Sequence, residues 1–296
     1  MKVAARLALS LFALLASSFA SAADLRLTPR HEVGDRFTLS IDATTHTRAL
    51  SQSPATRAAG EQVRLRYDAS VVIFEVDAAG TSLRERHEGA RFRYERPDGS
   101  GSLFPDRVDY EVRRRDDGRA RIFVGDERLD RRRESLLTTL LASQFEATLG
   151  PALLQPGGPV EIGDSWELDA RLARRFLREQ GLRVIDFGTP ATATLELAPD
   201  ADGRELRIRY RIPIERLELL EMPPNTRTSA SGASYSGELR LGTAPRQQSH
   251  VANLTLDLNG VVVKSGFASS FPFELRSSKL VRQRTRWPEP TVLSAR

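Results

Sequence analysis

The chain has 296 residues, 40% hydrophobic and 28% charged, with a formal net charge of +5 and no cysteine. That composition belongs to a globular protein with a real core and excludes an intrinsically disordered chain. The lack of thiols excludes disulfides and thiolate metal sites, and so modest a charge over this length is no nucleic-acid footprint.

Lys2 and Arg6 precede an uncharged apolar run, Leu7 to Phe19, and the small residues Ala20-Ser21-Ala22 follow it. Positive, apolar, then small is the order of a secretory signal peptide. The run is too short for a hydrocarbon core that needs about 20 residues. Cleavage is expected after Ala22, and no cysteine stands beyond it to carry a lipid anchor. The product is expected in the periplasm or secreted, without a transmembrane anchor. Losing Lys2 and Arg6 lowers its charge from +5 to +3, and Lys264 and Lys279 are its only lysines. Arginine suits phosphate and carboxylate, so contact with anionic lipid is one reading. The acidic residues interspersed among the arginines favour solvated, salt-bridged strand faces instead.

Period-two alternation then dominates. Val63, Leu65, Tyr67, Ala69, Val71 and Ile73 share one face of a strand, with Arg64, Arg66, Asp68 and Ser70 between them. Val72, Phe74 and Val76 take the opposite parity, which predicts a β-bulge, a crossing between core environments, or burial on both faces. Further strands are expected from Phe37 to Ile41, Leu83 to Tyr94, Val108 to Val112 and Arg121 to Val124, the last two joined at Asp116-Asp117-Gly118. In the second half, Ala193 to Leu197 and Leu206 to Ile214 alternate on either side of a turn at Pro199 to Gly203. Strands are also expected from Tyr235 to Leu241, Val251 to Leu258, Val261 to Val263 and Phe271 to Trp287. Asn259-Gly260 reads as a two-residue type I′ turn, and the Ser/Ala/Gly stretch from Thr226 as a mobile loop.

Two helices interrupt this pattern. Over residues 133–149, Leu136, Leu137, Leu140, Leu141 and Phe145 recur at helical spacing, up to a stop at Gly150-Pro151. They form a core face or, if a cavity lies beside them, the wall of an apolar ligand site. Over residues 170–180, Leu172, Ala173, Phe176 and Leu177 oppose Arg171, Arg174, Arg175 and Arg178, with Gly181 as terminator.

Glu32-Val33-Gly34-Asp35-Arg36-Phe37-Thr38-Leu39 reappears as Glu161-Ile162-Gly163-Asp164-Ser165-Trp166-Glu167-Leu168. Each copy reads as a Gly-Asp turn that delivers an aromatic (Phe37, Trp166) and a leucine onto a first strand. The expected fold is mainly β, a β-rich α+β chain of two similar antiparallel, strongly curved sheets or half-barrels. Its divisions are a signal at 1–22, an N-terminal half at 23–150, a Pro/Gly-rich joint at 151–159, a C-terminal half at 160–288 and a tail at 289–296. The signal segment, the two Gly-Asp motifs and the proline-rich lead-in resemble secreted bacterial β-rich families of unknown function. The long strands with few helices also resemble envelope folds of the lipoprotein-carrier type, which implies an incomplete barrel covering a helix and an apolar ligand.

No catalytic set emerges. His31, His46, His87 and His250 are scattered, without the spacing of a metal pair. Asp200-Ala201-Asp202-Gly203 fails the EF-hand pattern at Arg204 and Glu205. Gly232-Ala233-Ser234-Tyr235-Ser236-Gly237 misses the nucleophile elbow, since Ser236 stands where glycine is needed and a strand follows. Trp166 and Trp287 sit in strand contexts. The basic runs Arg113 to Arg115 and Arg131 to Arg133 have carboxylates beside them. No catalytic residue, cofactor or metal is therefore assigned. The reading is a non-enzymatic envelope binding or interaction scaffold, partnered by an envelope protein or a lipid. Its alternatives are a carrier of an apolar ligand and a hydrolase without a recognisable motif.

Overall fold

The computed structural model describes residues 25, 27, 31–51, 59–78, 80–104, 106–114, 120–131, 133, 134, 137, 150–198, 205–220, 226–241, 248–263 and 270–287. Its first half holds β1 (Arg36–Ser51), β2 (Ala59–Val76), β3 (Ser82–Arg96), β4 (Gly99–Ser102), β5 (Val108–Arg114), β6 (Ala120–Val124) and β7 (Glu127–Arg128). After α1 (Gly150–Leu154) come β8 (Ser165–Glu167), α2 (Ala170–Glu179), β9 (Leu182–Asp186), β10 (Thr192–Leu197), β11 (Leu206–Ile214) and β12 (Arg216–Leu219). The chain then runs through β13 (Thr226–Leu241), β14 (Gln248–Val263) and β15 (Ser270–Arg286).

The mainly β expectation holds, but the strands do not form two separate sheets. One open 13-stranded sheet runs β7-β6-β5-β3-β2-β1-β15-β14-β13-β11-β10-β8, with β4 beside β3, and β9 and β12 form a small second sheet. The halves fuse because β1 pairs with β15 from Thr38↔Arg286 to Ser51↔Phe273, while β15 also pairs with β14. Residues 42–51 alternate only weakly, so β1 reads as a short strand alone; partners on both sides extend it. The path's outer strands, β7 and β8, are very short, leaving little unpaired ladder to recruit other chains.

Each half packs its own core on the same face of the sheet. Tyr67, Val71, Ile73, Phe92, Tyr110, Val112 and Ile122 belong to the first. Ile208, Tyr210, Ile212, Leu239, Leu256 and Leu258 belong to the second, with Phe176 and Leu177 of α2. Val281 of β15 packs into the first core, and the Trp287 ring lies tilted against Phe37 at 4.6 Å between ring centres. Conversely, Leu25 and Leu27 pack into the second core, where the Leu27 N–H donates to Gln155 Oε1 at 3.0 Å.

Val71, Val72 and Ile73 are all buried, and register shifts against β3 follow Ile73. The parity switch is thus both a double-sided burial and a bulge. Phe74 stays exposed, with the Arg84 and Arg86 guanidiniums over its ring. The shorter helix forms as expected: the Asp169 carboxylate accepts from the N–H groups of Arg171 and Leu172, and Ala173, Phe176 and Leu177 are buried. Of the longer one, Arg131, Arg133, Glu134 and Leu137 are helical; the Asp130 carboxylate caps its start at the Arg133 N–H, 3.0 Å away.

Three local expectations are corrected. Asn259-Gly260 is no turn: β14 runs straight through it, pairing Gly260 with both Thr228 and Phe273. A turn there would strip the ends of two long neighbours of their partners; the irregularity falls instead as a register shift between Thr228 and Ala230. The Thr226 stretch is no loop but the strand β13, whose small residues admit close neighbours. A Cβ at Gly237 would lie 2.5 Å from Tyr210 Oη. Gly150-Pro151 is no stop: both residues are helical in α1, where Leu153 and Leu154 gain burial, and residues 138–149 before them lie outside the described residues. The segments 115–119 and 199–204, with their expected turns, lie outside the described residues.

The two Gly-Asp motifs adopt the same turn. Asp35 accepts from the Glu32 N–H at 2.9 Å through its side chain, and Asp164 does so from Glu161 at 2.8 Å. The Gly34 N–H donates to the Ile73 carbonyl and the Gly163 N–H to that of Leu195, both at 2.8 Å. Both glycines have positive φ, 93° and 100°. A Cβ at either meets nothing within 4 Å, so an alanine there costs conformational energy alone. Gly34→Ala and Gly163→Ala are each expected to lower urea-unfolding stability by about 1 kcal/mol. Gly60→Ala, at ordinary φ and in open space, is expected to leave the midpoint unchanged.

Candidate functional site

Two histidines on the core face, His87 and His250, sit among buried tyrosines. In the first half Tyr67 on β2, His87 on β3 and Tyr110 on β5 meet on adjacent strands. The Tyr67 hydroxyl lies 2.6 Å from His87 Nδ1 and also bonds Tyr110 Oη. The His87 ring stacks on Tyr110 at 4.7 Å. His87 Nε2 lies 3.3 Å from Glu85, whose carboxylate takes Arg114 Nη2 at 3.2 Å. Burial alone would raise the Glu85 carboxyl, but Arg114 and the bond from His87 outweigh it and hold it at about 2. An ionised Glu85 accepts Nε2–H, so in the neutral tautomer Nδ1 accepts the Tyr67 proton and Tyr110 donates to Tyr67.

The second half builds a related cluster. Tyr210 of β11 hydrogen-bonds across Gly237 to His250 Nε2 at 2.7 Å and stacks on Tyr235 of β13 at 5.9 Å. Burial raises all four phenols, keeping them neutral donors. A relay of tyrosine, histidine and carboxylate has the parts of an acid–base device, but such a device must reach a substrate. His87, Glu85 and His250 are buried and line none of three cavities of about 880, 560 and 430 Å³, although Tyr210 borders the smallest. Their geometry satisfies polar groups inside a core and rigidifies it.

The opposite face of the sheet is polar. A trough of about 880 Å³ crosses β2, β1, β15, β14 and β13. Its lining takes both parities of these strands: one row is Glu61, Thr47, Ser277, Leu256 and Ala233. On the polar face Gln62 pairs His46, His46 pairs Ser278, Ser278 pairs Thr255 and Thr255 pairs Ser234. The next row on that face holds Gly60, Arg48, Arg276, Asp257 and Gly232. The two glycines leave both ends open. Five adjacent strands make the trough about 19 Å long. Its lining balances two arginines, Arg48 and Arg276, against Glu61 and Asp257. Arg276 is itself held by Glu274 at 2.6 Å and Asp257 at 3.7 Å. The trough therefore offers an amide, an imidazole and five hydroxyls beside the apolar Pro97, Ala233 and Leu256, with its arginines and carboxylates in balance.

Sequence reasoning singled out none of these residues as a set, because only the register aligns them. Of the candidate helix face, Leu137 is fully buried in the first core; Leu136, Leu140, Leu141 and Phe145 lie outside the described residues. Phe37 is core, while Trp166 is half-buried against the second core. Gly34, Asp35, Gly163 and Asp164 shape turns and line none of the three cavities. The basic runs make local ion pairs: Arg113 with Glu111, Arg114 with Glu85, and Arg133 with Asp130. Among the described residues no group of acidic or histidine side chains could hold a metal.

No family model matches the chain, and no curated protein matches it in sequence. Among solved structures it is similar to a lipovitellin described for its lipid–protein interactions. That match has 11% identity and a TM-score of 0.38, over 89% of this chain but only 26% of the other. It is similar also to the outer membrane protein OprG of Pseudomonas aeruginosa, with 5% identity and a TM-score of 0.22, over 88% and 99% of the two chains. DynF, from the dynemicin biosynthesis pathway of Micromonospora chersina, matches with 9% identity and a TM-score of 0.20, over 88% and 86%.

The buried histidine leaves a pH signature. Burial holds the His250 imidazole at about 3, against an ordinary 6.5. Between those values the unfolded chain binds the extra proton, so stability falls as pH drops from 6.5 toward 3. Arg84 first, then Arg86 and Arg113 against the cost of burial, hold Glu111 at about 2. With Glu85 it adds a second loss between its ordinary 4.5 and 2. Urea midpoints of the parent protein should therefore decline already between pH 7 and 5. His250→Gln should flatten that interval and leave the steeper loss below pH 4.5, whereas an unchanged profile would contradict the assignment.

Proposed function

We propose that this protein is an exported, non-catalytic envelope scaffold that binds an extended polar partner across the polar face of its sheet. The trough carries this reading: a hydrogen-bonding row without net charge, open at both ends and spanning five strands. Such a surface offers hydrogen bonds to a chain-like ligand, with Pro97, Ala233 and Leu256 as apolar contacts beside them. Export rests on the N-terminal order of positive, apolar and small residues. Among the described residues no helix is long and apolar enough to cross a membrane.

We also infer that the chain arose from two similar halves. The identical Gly-Asp turns support this, as does strand order: β6-β5-β3-β2-β1 in one half parallels β14-β13-β11-β10-β8 in the other.

Protein purified from its native compartment is expected to begin at Ala23 and to carry no stoichiometric lipid in organic extracts by mass spectrometry. It is expected to co-purify a polar partner that is lost in Ser278→Trp, which fills the trough, and retained in Arg175→Trp on exposed α2. A stoichiometric lipid would favour the carrier reading, and retention of the partner by Ser278→Trp would contradict the trough as its site.

A further inference from the structure

The polar face holds a second cavity, of about 560 Å³, nearer the start of β1. Ser40 lines it from β1, six residues before His46 of the trough, so the two cavities lie about 20 Å apart along that strand. Its walls are arginines from opposite sides. Arg91 and Arg107 stand on the β3 side, Arg284 and Arg286 on β15.

The register explains the arrangement. Arg91 pairs Asp68, Asp68 pairs Ser40, and Ser40 pairs Arg284. In the neighbouring row Glu88 pairs Ser70, Ser70 pairs Thr38, and Thr38 pairs Arg286. The two walls are three strand spacings apart, about 14 Å. Short hydroxyl side chains on β1 and β2 keep the floor between them low. A bulge sits at one wall: the β2–β3 register shifts between Asp68 and Ser70, and Gly89 takes φ of 57°. A Cβ on Gly89 would come within 3.8 Å of Arg107 Nη1, so the guanidinium lies close over bare backbone.

The acidic lining is already engaged. The Asp68 carboxylate takes the Ser40 hydroxyl at 2.7 Å, and Glu88 takes Arg36 at 3.4 Å. Among the described residues no carboxylate lies within ion-pair distance of Arg91, Arg107, Arg284 or Arg286. This contrasts with the ion-paired arginines nearby, such as Arg64 on Asp42 and Arg84 on Glu111. Four like charges around a concavity repel one another, and a multivalent anion relieves that repulsion. Guanidinium forks match the oxygens of a phosphoryl group, and floor hydroxyls supply further donors.

We propose that this cavity is a binding site for a phosphoryl-bearing ligand, gripped between Arg91 and Arg107 on one wall and Arg284 and Arg286 on the other. The shared chemistry is a phosphate oxyanion, free or on a lipid headgroup. Isothermal titration of the mature protein tests it with two probes: inorganic pyrophosphate, and phosphatidylcholine vesicles with or without phosphatidylglycerol. Pyrophosphate is expected to bind, and Arg91→Gln/Arg284→Gln to weaken it by about tenfold or more through lost charge-assisted hydrogen bonds. Arg183→Gln/Arg216→Gln makes the same charge change on the exposed second sheet and should leave affinity unchanged. Arg107→Gln alone, at an exposed position, serves if the double variant unfolds. Binding only to phosphatidylglycerol vesicles, lost in the same variants, supports the site and assigns the phosphate to a lipid. No binding of either probe, binding indifferent to the cavity variants, or equal loss in the control pair overturns it.

Discussion

The ladder between the first and last strands, β1 with β15, is the interaction on which the rest of this structure depends. It joins residues as far apart in sequence as Thr38 and Arg286. Without it, each half is a meander with an exposed long edge. With it, two cores share one face and the opposite face becomes a continuous polar surface. The aromatic contact of Phe37 with Trp287, the stacking of His31 on both and the placement of Val281 in the first core reinforce the same seam. Closing so long a loop is entropically expensive, so the seam is expected to form late in folding, after the local hairpins.

That seam also creates both candidate sites. The trough draws His46 and Gln62 from one half and Thr255 and Ser234 from the other, with Ser278 between. The arginine cavity likewise sets β3 against β15. Neither concavity exists on an isolated half. The two differ in electrostatics: charge is balanced in the trough, whereas unpaired guanidiniums concentrate in the cavity. One face can therefore engage a neutral polar segment and an anionic group about 20 Å apart.

How much of this was legible in the sequence follows from where side-chain periodicity carries the information. Leu206, Ile208, Tyr210, Ile212 and Ile214 alternate cleanly, and β11 forms on just that pattern. Where packing comes from small or polar residues, periodicity fails: β13 begins as Thr-Arg-Thr-Ser-Ala-Ser-Gly, and its order comes from neighbours on both sides. Asn259-Gly260 shows the converse, a strong local turn signal overridden by long-range ladders. The buried histidines were partly readable. His250 shares parity with Ala252, Leu254, Leu256 and Leu258, and Tyr210 sits within an apolar alternation. Their pairing needs the register of three strands. The arginine cavity was least visible, because cross-strand rows of residues distant in sequence leave no spacing to read.

Because the chain lacks cysteine, engineered thiols report the seam without interference. Thr47 and Ser277 are Cα partners on β1 and β15, with their hydroxyls 3.2 Å apart. A Thr47→Cys/Ser277→Cys protein should form its disulfide quantitatively under mild oxidation in the folded state. Thr47→Cys/Arg276→Cys, which places the second thiol on the opposite face, should not. Failure of the first pair to cross-link in folded protein, or equal cross-linking of both, would contradict a single sheet joined through β1 and β15.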